Sequence, residues 1–251
     1  MGVPTPIDHA DLEFDNGTFD SAAFAAQTLS HWKALAAVVD HTLINPDTTR
    51  AQVENLCDEA IHYRFASALV QPIWVSTAVG VLAGTGIPVG VVIGFPYGAS
   101  LVSTLRQEAA ALARLGAREF DMVIPLGQLK SGNHHAVQHT VHAAASVAHH
   151  HGAQLKVILE TSLLSMEEKL RTAEIAIQAG ADFIKTSTGL GSHGATPADV
   201  ALMRGVAGGR CGVCASGSIR TLAEVKAMLE AGANRICSSD SPAIVRELGA
   251  E

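Results

Sequence analysis

Short apolar runs alternate along the chain with longer stretches whose apolar positions recur every three or four residues. The short runs predict strands at Val38–Leu43, Ser67–Gln71, Pro88–Phe95, Arg118–Pro125, Gln154–Glu160, Ala181–Thr188, Arg210–Ser216 and Asn234–Ser239. Between them, segments such as Leu101–Leu115 and Met166–Ala179 carry the helical period. Three helices end in a glycine with a strand directly behind it, at Leu115-Gly116, Ala179-Gly180 and Ala231-Gly232. Glycine at that position takes the left-handed turn that stops a helix. Eight strand–helix units with little other material predict an α/β chain, a single (β/α)8 barrel over residues 31–251. A doubly wound sheet fits less well, because no GxGxxG follows an early strand. Residues 1–30 form an N-terminal extension, in which Asp20–Gln27 predicts a short helix covering one end of the barrel.

In such a barrel, chemistry gathers where inward side chains meet the loops at the C-terminal ends of the strands. Three apolar runs carry ionisable residues: EFDMVIP with Asp121, LKVILE with Lys156 and DFIKTST with Lys185. A lone buried charge costs several kcal/mol, about as much as a small domain can spare, so these residues must compensate one another. One reading is a structural salt-bridge network. The other is amine catalysis. A lysine in an apolar pocket beside a second cation has a lowered pKa and attacks carbonyls, while a nearby carboxylate moves protons.

Composition narrows the field. With 48% hydrophobic residues the chain can fold outright, and 17 Lys+Arg against 24 Asp+Glu give a net charge of −7. That balance argues against nucleic acid or an anionic membrane as partner. The apolar runs are strand-length, too short to span a bilayer, and the acidic start has no signal-peptide core. Four cysteines in 251 residues do not make a disulfide framework, so a reducing cytoplasm is expected. Cys211 and Cys214 form a CxxC, but residues three apart on a strand face opposite sides. Cys214 and Cys237, both inward, are better placed to meet, with a reduced pair as the expectation. His134, His135, His139, His142 and His149–His151 crowd the fourth helix and read as a solvated face rather than a metal site.

The motifs DHTLINPDTT (40–49), LCDEA (56–60), VIGFPYGAS (92–100), EFDMVIPLGQLKSG (119–132), LKVILETSLL (155–164), ADFIKTSTG (181–189) and SIRTLAEV (218–225) resemble, in order and spacing, the deoxyribose-phosphate aldolase family of class I aldolases. The resemblance implies a barrel that cleaves 2-deoxyribose 5-phosphate reversibly to acetaldehyde and glyceraldehyde 3-phosphate. It further implies no metal or organic cofactor, a small aldehyde or sugar as ligand, and a homodimer. The Schiff-base lysine carries over to Lys185 and the proton-shuttling aspartate to Asp121. Lys156, Asp40 and Thr42 match pocket residues, and Cys57 matches a position near the pocket, with a buried structural cysteine as the equal alternative. Thr188, Gly189, Gly217, Ser218, Ser239 and Asp240 fall on the loops that hold phosphate in the family.

Three departures stand out. Where the family's seventh strand resembles VKASGGIRT, this chain reads VCASGSIRT, so Cys214 replaces a lysine that assists the catalytic one, and Ser218 replaces a glycine. Lys156 and desolvation are then left to lower the Lys185 pKa. Where the last strand usually ends RIGTSSG, this chain has RICSSDS, which puts Cys237 for glycine and Asp240 for serine. A carboxylate there repels a phosphate dianion, so the expected acceptor aldehyde includes unphosphorylated ones. The alternatives are a barrel that binds a small sugar or carbonyl without turnover, or a diverged Schiff-base lyase.

Overall fold

The computed structural model describes residues 19–251; the first 18 residues of the N-terminal extension lie outside the described residues. Eight strands form a closed, wholly parallel barrel in sequence order: β1 (Val39–Leu43), β2 (Ser67–Val70), β3 (Val89–Ile93), β4 (Glu119–Val123), β5 (Gln154–Ile158), β6 (Phe183–Lys185), β7 (Gly212–Ser216) and β8 (Arg235–Ser238). The principal helices around it are α3 (Arg50–Tyr63), α4 (Val75–Val81), α5 (Val102–Leu115), α7 (His134–His150), α8 (Met166–Gln178), α9 (Pro197–Ala207), α10 (Leu222–Glu230) and α11 (Ser241–Glu247). Three short ones, α1 (Ser21–Thr28), α2 (Trp32–Ala36) and α6 (Leu126–Lys130), complete the α elements.

The alternation of side chains across each strand builds two cores. Outward residues such as Val91, Phe120, Leu155, Ile184, Val213 and Ile236 are buried under helix faces rich in alanine, including Ala109, Ala144, Ala148, Ala173 and Ala176. Small residues there let the helices seat closely on the barrel. Inward residues Leu69, Val92, Phe183, Cys214 and Cys237 form a separate apolar cluster inside it. The helix stops foreseen at Gly116, Gly180 and Gly232 all have left-handed backbone, with φ of 113°, 97° and 111°. Capping boxes open α8 (Ser165 with Glu168) and α10 (Thr221 with Glu224).

α1 is seated against α10 with Phe24 and Ala25 buried. The sixth strand stops at Lys185 rather than running to Thr188. The Thr186 backbone still donates to the Cys214 carbonyl and accepts from the Thr161 amide, and side-chain bonds are added there: the Thr186 hydroxyl donates to the Ser216 carbonyl, and the Thr188 amide donates to Glu160. Among the described residues, no helix is long and apolar enough to cross a membrane.

Candidate active site

The ionisable residues inside the barrel stand in two tiers. In the lower tier Lys156, from β5, donates to Asp40 Oδ2 at 2.7 Å and to Glu119 Oε2 at 2.5 Å. Arg235, from β8, donates through Nε to Asp40 Oδ1 at 2.7 Å and through Nη2 to Glu119 Oε1 at 2.8 Å. The Ser67 hydroxyl closes the ring with a 2.5 Å bond to Asp40. All five are buried. Burial alone would raise the Asp40 pKa, but Arg235 and Lys156 overcome it and hold the carboxyl well below its usual range. Burial likewise opposes the Lys156 ammonium, and Asp40 and Glu119 more than restore it. Glu119 and Arg235 were not singled out in the sequence. Each sits two residues before another inward side chain (Asp121 and Cys237), so the strand period would have placed both.

One pleat up, Lys185 donates to Asp121 Oδ2 at 2.5 Å and to Cys237 Sγ at 3.1 Å. Cys237 Sγ also lies 3.0 Å from Thr42 Oγ1. Asp121 Oδ1 is buried without a hydrogen-bond partner among the described residues, 4.0 Å from Lys156 Nζ. Cys214 pairs with Lys185 in the β6–β7 register, and burial pushes its thiol pKa well up, so it is a neutral neighbour. The expected lowering of the Lys185 pKa is corrected here. Burial does oppose the charge, but the touching Asp121 carboxylate outweighs it and raises the value well above that of a free lysine. Lys156 cannot act as the depressing cation, because its charge is spent on Asp40 and Glu119.

Above this pair opens a cavity of about 430 Å³, within the range of small-molecule sites, roughly 300–1,000 Å³. Its wall includes Thr42, Lys185, Thr188, Gly189, Gly217, Ser218, Ser239 and Asp240, all expected there, together with Arg220 and Cys237. Asp121 and Cys214 sit behind that wall, and Asp40 and Lys156 belong to the tier beneath. Cys57 is placed elsewhere: it lies on α3 in the core between helix and barrel, where burial raises its pKa to about 12. It is not among the cavity's lining residues.

The loops after β6 and β7 meet backbone to backbone. A Cβ on Gly194 would come within 2.1 Å of the Gly217 carbonyl oxygen, so both glycines are required. The Ala195 amide donates to both the Ser216 and Gly217 carbonyls at 3.1 Å. Glu160, itself left-handed at φ 56°, accepts from the Thr188 hydroxyl at 2.5 Å and fixes that residue in the cavity wall. Ser218 is held at φ 59°, a conformation that costs a non-glycine residue about 1–2 kcal/mol.

With this geometry in place, comparison with known proteins is decisive. A family model described as DeoC/LacD family aldolase matches residues 34–238. The deoxyribose-phosphate aldolase of Geobacillus sp. is 47% identical over 211 residues, covering 84% of this chain and 94% of the relative. The chain belongs to the deoxyribose-phosphate aldolase family. That of Caldanaerobacter subterraneus is 45% identical over 214 residues, covering 85% of this chain and 93% of its own. Among solved structures, the deoxyribose phosphate aldolase of Aeropyrum pernix, described as a unique tetramer, superposes with a TM-score of 0.84 at 31% identity, covering 91% and 96% of the two chains. Membership in this family makes the chain an aldolase, a lyase, and does not favour the reading as a barrel that only binds.

The CxxC and histidine motifs lie apart from the cavity. All four cysteines are free, and Cys211 turns to its neighbour's carbonyl while Cys214 faces inward. On α7, His135 and His139 lie parallel with ring centroids 6.5 Å apart, and His149 pairs with Asp182 at 2.9 Å. Among the described residues, no three His, Cys, Asp or Glu side chains gather to hold a metal ion.

Proposed function

We propose that the chain is a Schiff-base aldolase in which Lys185 forms the imine and Asp121 carries the protons. The observation that supports it is the buried 2.5 Å contact of Lys185 with Asp121 beneath a cavity of sugar size. The resting lysine is an ammonium, so the first step is transfer of its proton to Asp121. The free amine then adds to the aldehyde carbon of the open-chain sugar, and the hydroxyl of the adduct leaves as water with a proton returned by Asp121. In the resulting iminium, Asp121 takes the proton of the 3-hydroxyl and the C2–C3 bond breaks. Its electrons flow into the iminium as an enamine while the acceptor aldehyde departs. Protonation of the enamine and hydrolysis of the imine release acetaldehyde. Lys156 touches neither amine nor cavity in this scheme. It is a positioning residue that ties together the tier beneath, 4.0 Å from Asp121 Oδ1.

The substrate is a 3-hydroxyaldehyde of the 2-deoxyribose type. At the far end of the cavity, Asp240 stands with Ser218, Ser239 and Arg220. The Asp240 carboxylate in this wall favours an unphosphorylated acceptor over a phosphate dianion. The second reading, deoxyribose 5-phosphate itself, draws on Arg220 and on the names of the relatives. Assembly as a homodimer and residence in the cytoplasm belong to the same proposal; light scattering of the purified protein tests the first.

Borohydride reduction in the presence of acetaldehyde, read by intact mass and peptide mapping, tests the imine. A stable adduct on Lys185, absent in Lys185→Ala, is the expected result. No adduct at any pH from neutral to alkaline would overturn the reading. The ratio of kcat/KM for deoxyribose and its 5-phosphate then decides between acceptors.

A further inference from the structure

Cys237 stands where the family's pattern has a glycine, and it places a thiol against the amine on which the aldolase reading rests. Its sulfur is 3.1 Å from Lys185 Nζ and 3.0 Å from the Thr42 hydroxyl, and it forms part of the cavity wall. A small oxidant that enters the cavity therefore reaches Cys237. Cys214 is not among the lining residues, and its thiol turns to the Ala215 carbonyl. We propose that Cys237 is a site of reversible oxidation by hydroperoxides, whose sulfenic acid is captured by Lys185 as a nitrogen–sulfur link.

The chemistry balances. Hydrogen peroxide oxidises the thiol to a sulfenic acid, with one peroxide oxygen bound to sulfur and the other released as water. Asp121, 2.5 Å from Nζ, accepts a proton from the ammonium and frees the nitrogen lone pair. The amine attacks sulfur, the N–S bond forms, and the S–O bond breaks. The oxygen leaves as water, taking up the proton held by Asp121, and the second nitrogen proton passes to solvent through the cavity. Two equivalents of an added thiol reverse the link, returning amine and thiol and leaving the reductant as its disulfide. While the link stands, Lys185 cannot form an imine, so the modification blocks the proposed aldolase chemistry at its first atom.

The test treats the full-length protein with hydrogen peroxide, quenches free thiols by alkylation, and reads intact mass and crosslinked peptides. The expected product is lighter by about 2 Da before alkylation, has one thiol fewer to alkylate, maps to a Lys185–Cys237 pair, and disappears with dithiothreitol. It forms in Cys214→Ser and not in Cys237→Ser, with circular dichroism showing that both variants are folded. A disulfide between Cys214 and Cys237, which removes two thiols from alkylation and differs in the map, would overturn the proposal. So would sulfinic or sulfonic acid on Cys237 with Lys185 still open to acylation. These readouts need no turnover, so a missing imine with acetaldehyde and a missing N–S link remain separate failures.

Discussion

The two tiers inside the barrel use the same ingredients to opposite ends. Below, Asp40 and Glu119 face Lys156 and Arg235, and each cation holds both carboxylates. Above, one carboxylate meets one ammonium, a carboxylate oxygen is left without a hydrogen bond, and the lysine opens on a cavity. Closure makes the difference. A saturated network fixes every proton and every rotamer, whereas an unsaturated pair keeps one proton able to move. Burial of charge therefore says little about reactivity until the partners are counted.

The comparison breaks hardest at Lys156. Lys156→Met leaves two buried carboxylates short of a partner and should cost about 3–5 kcal/mol of stability, read by urea unfolding. Lys185→Met, which leaves Asp121 next to a cavity that water can enter, should destabilise by clearly less while abolishing the borohydride adduct. Equal losses of stability would mean that the tiers are one structural network.

Titration sharpens the same contrast. The depressed Asp40 pKa contributes stability that is complete above the unfolded value, about 3.9, and is lost as pH falls below it. His41 adds a smaller acid limb. Its pKa is lowered chiefly by burial, against Glu59 at 2.8 Å, so its contribution is present above about 6.5 and fades as pH falls through that value. The raised values of Lys156 and Lys185 act in the opposite sense, with stability full below about 10.4 and lost as pH climbs through their folded values. Imine formation should rise with pH over the whole neutral to alkaline range, because the free amine is scarce until then. A rate that falls between pH 7 and 9 would contradict the Lys185–Asp121 pairing.

Smaller effects belong to the rim. Asp240→Ser should move the kcat/KM ratio toward the 5-phosphorylated sugar by roughly tenfold, one charge contact of about 1.4 kcal/mol. Ser218→Gly relieves a left-handed serine and should stabilise by about 0.5–1 kcal/mol after the entropy of the new glycine is counted. No shift in melting temperature would show that the loop already accommodates the strain.

Much of the fold was legible because two periods, two and near 3.6, alternate cleanly and glycines mark the stops. The buried Lys185–Asp121 pair was legible too, since both are charges in apolar strands. The sign of the Lys185 pKa shift was not. Sequence places Lys156 on the neighbouring strand, but only side-chain geometry shows that Asp40 and Glu119 claim its charge. Arg235 escaped notice because its run, RICSSDS, draws attention to the altered rim rather than to the inward residue two positions earlier. For Cys57 the sequence left a place near the pocket and a buried structural role open, because a motif fixes a position along α3, not what its side chain meets; the side chain is buried in the core.

The contact between Gly194 and Gly217 has a mechanical consequence. With their backbones in touch and Ala195 bonded to two carbonyls across the gap, the loops after β6 and β7 are tied to each other. A ligand that steadies Thr188 on one loop steadies Ser218 on the other, and the mouth of the barrel has fewer independent hinges than it has loops.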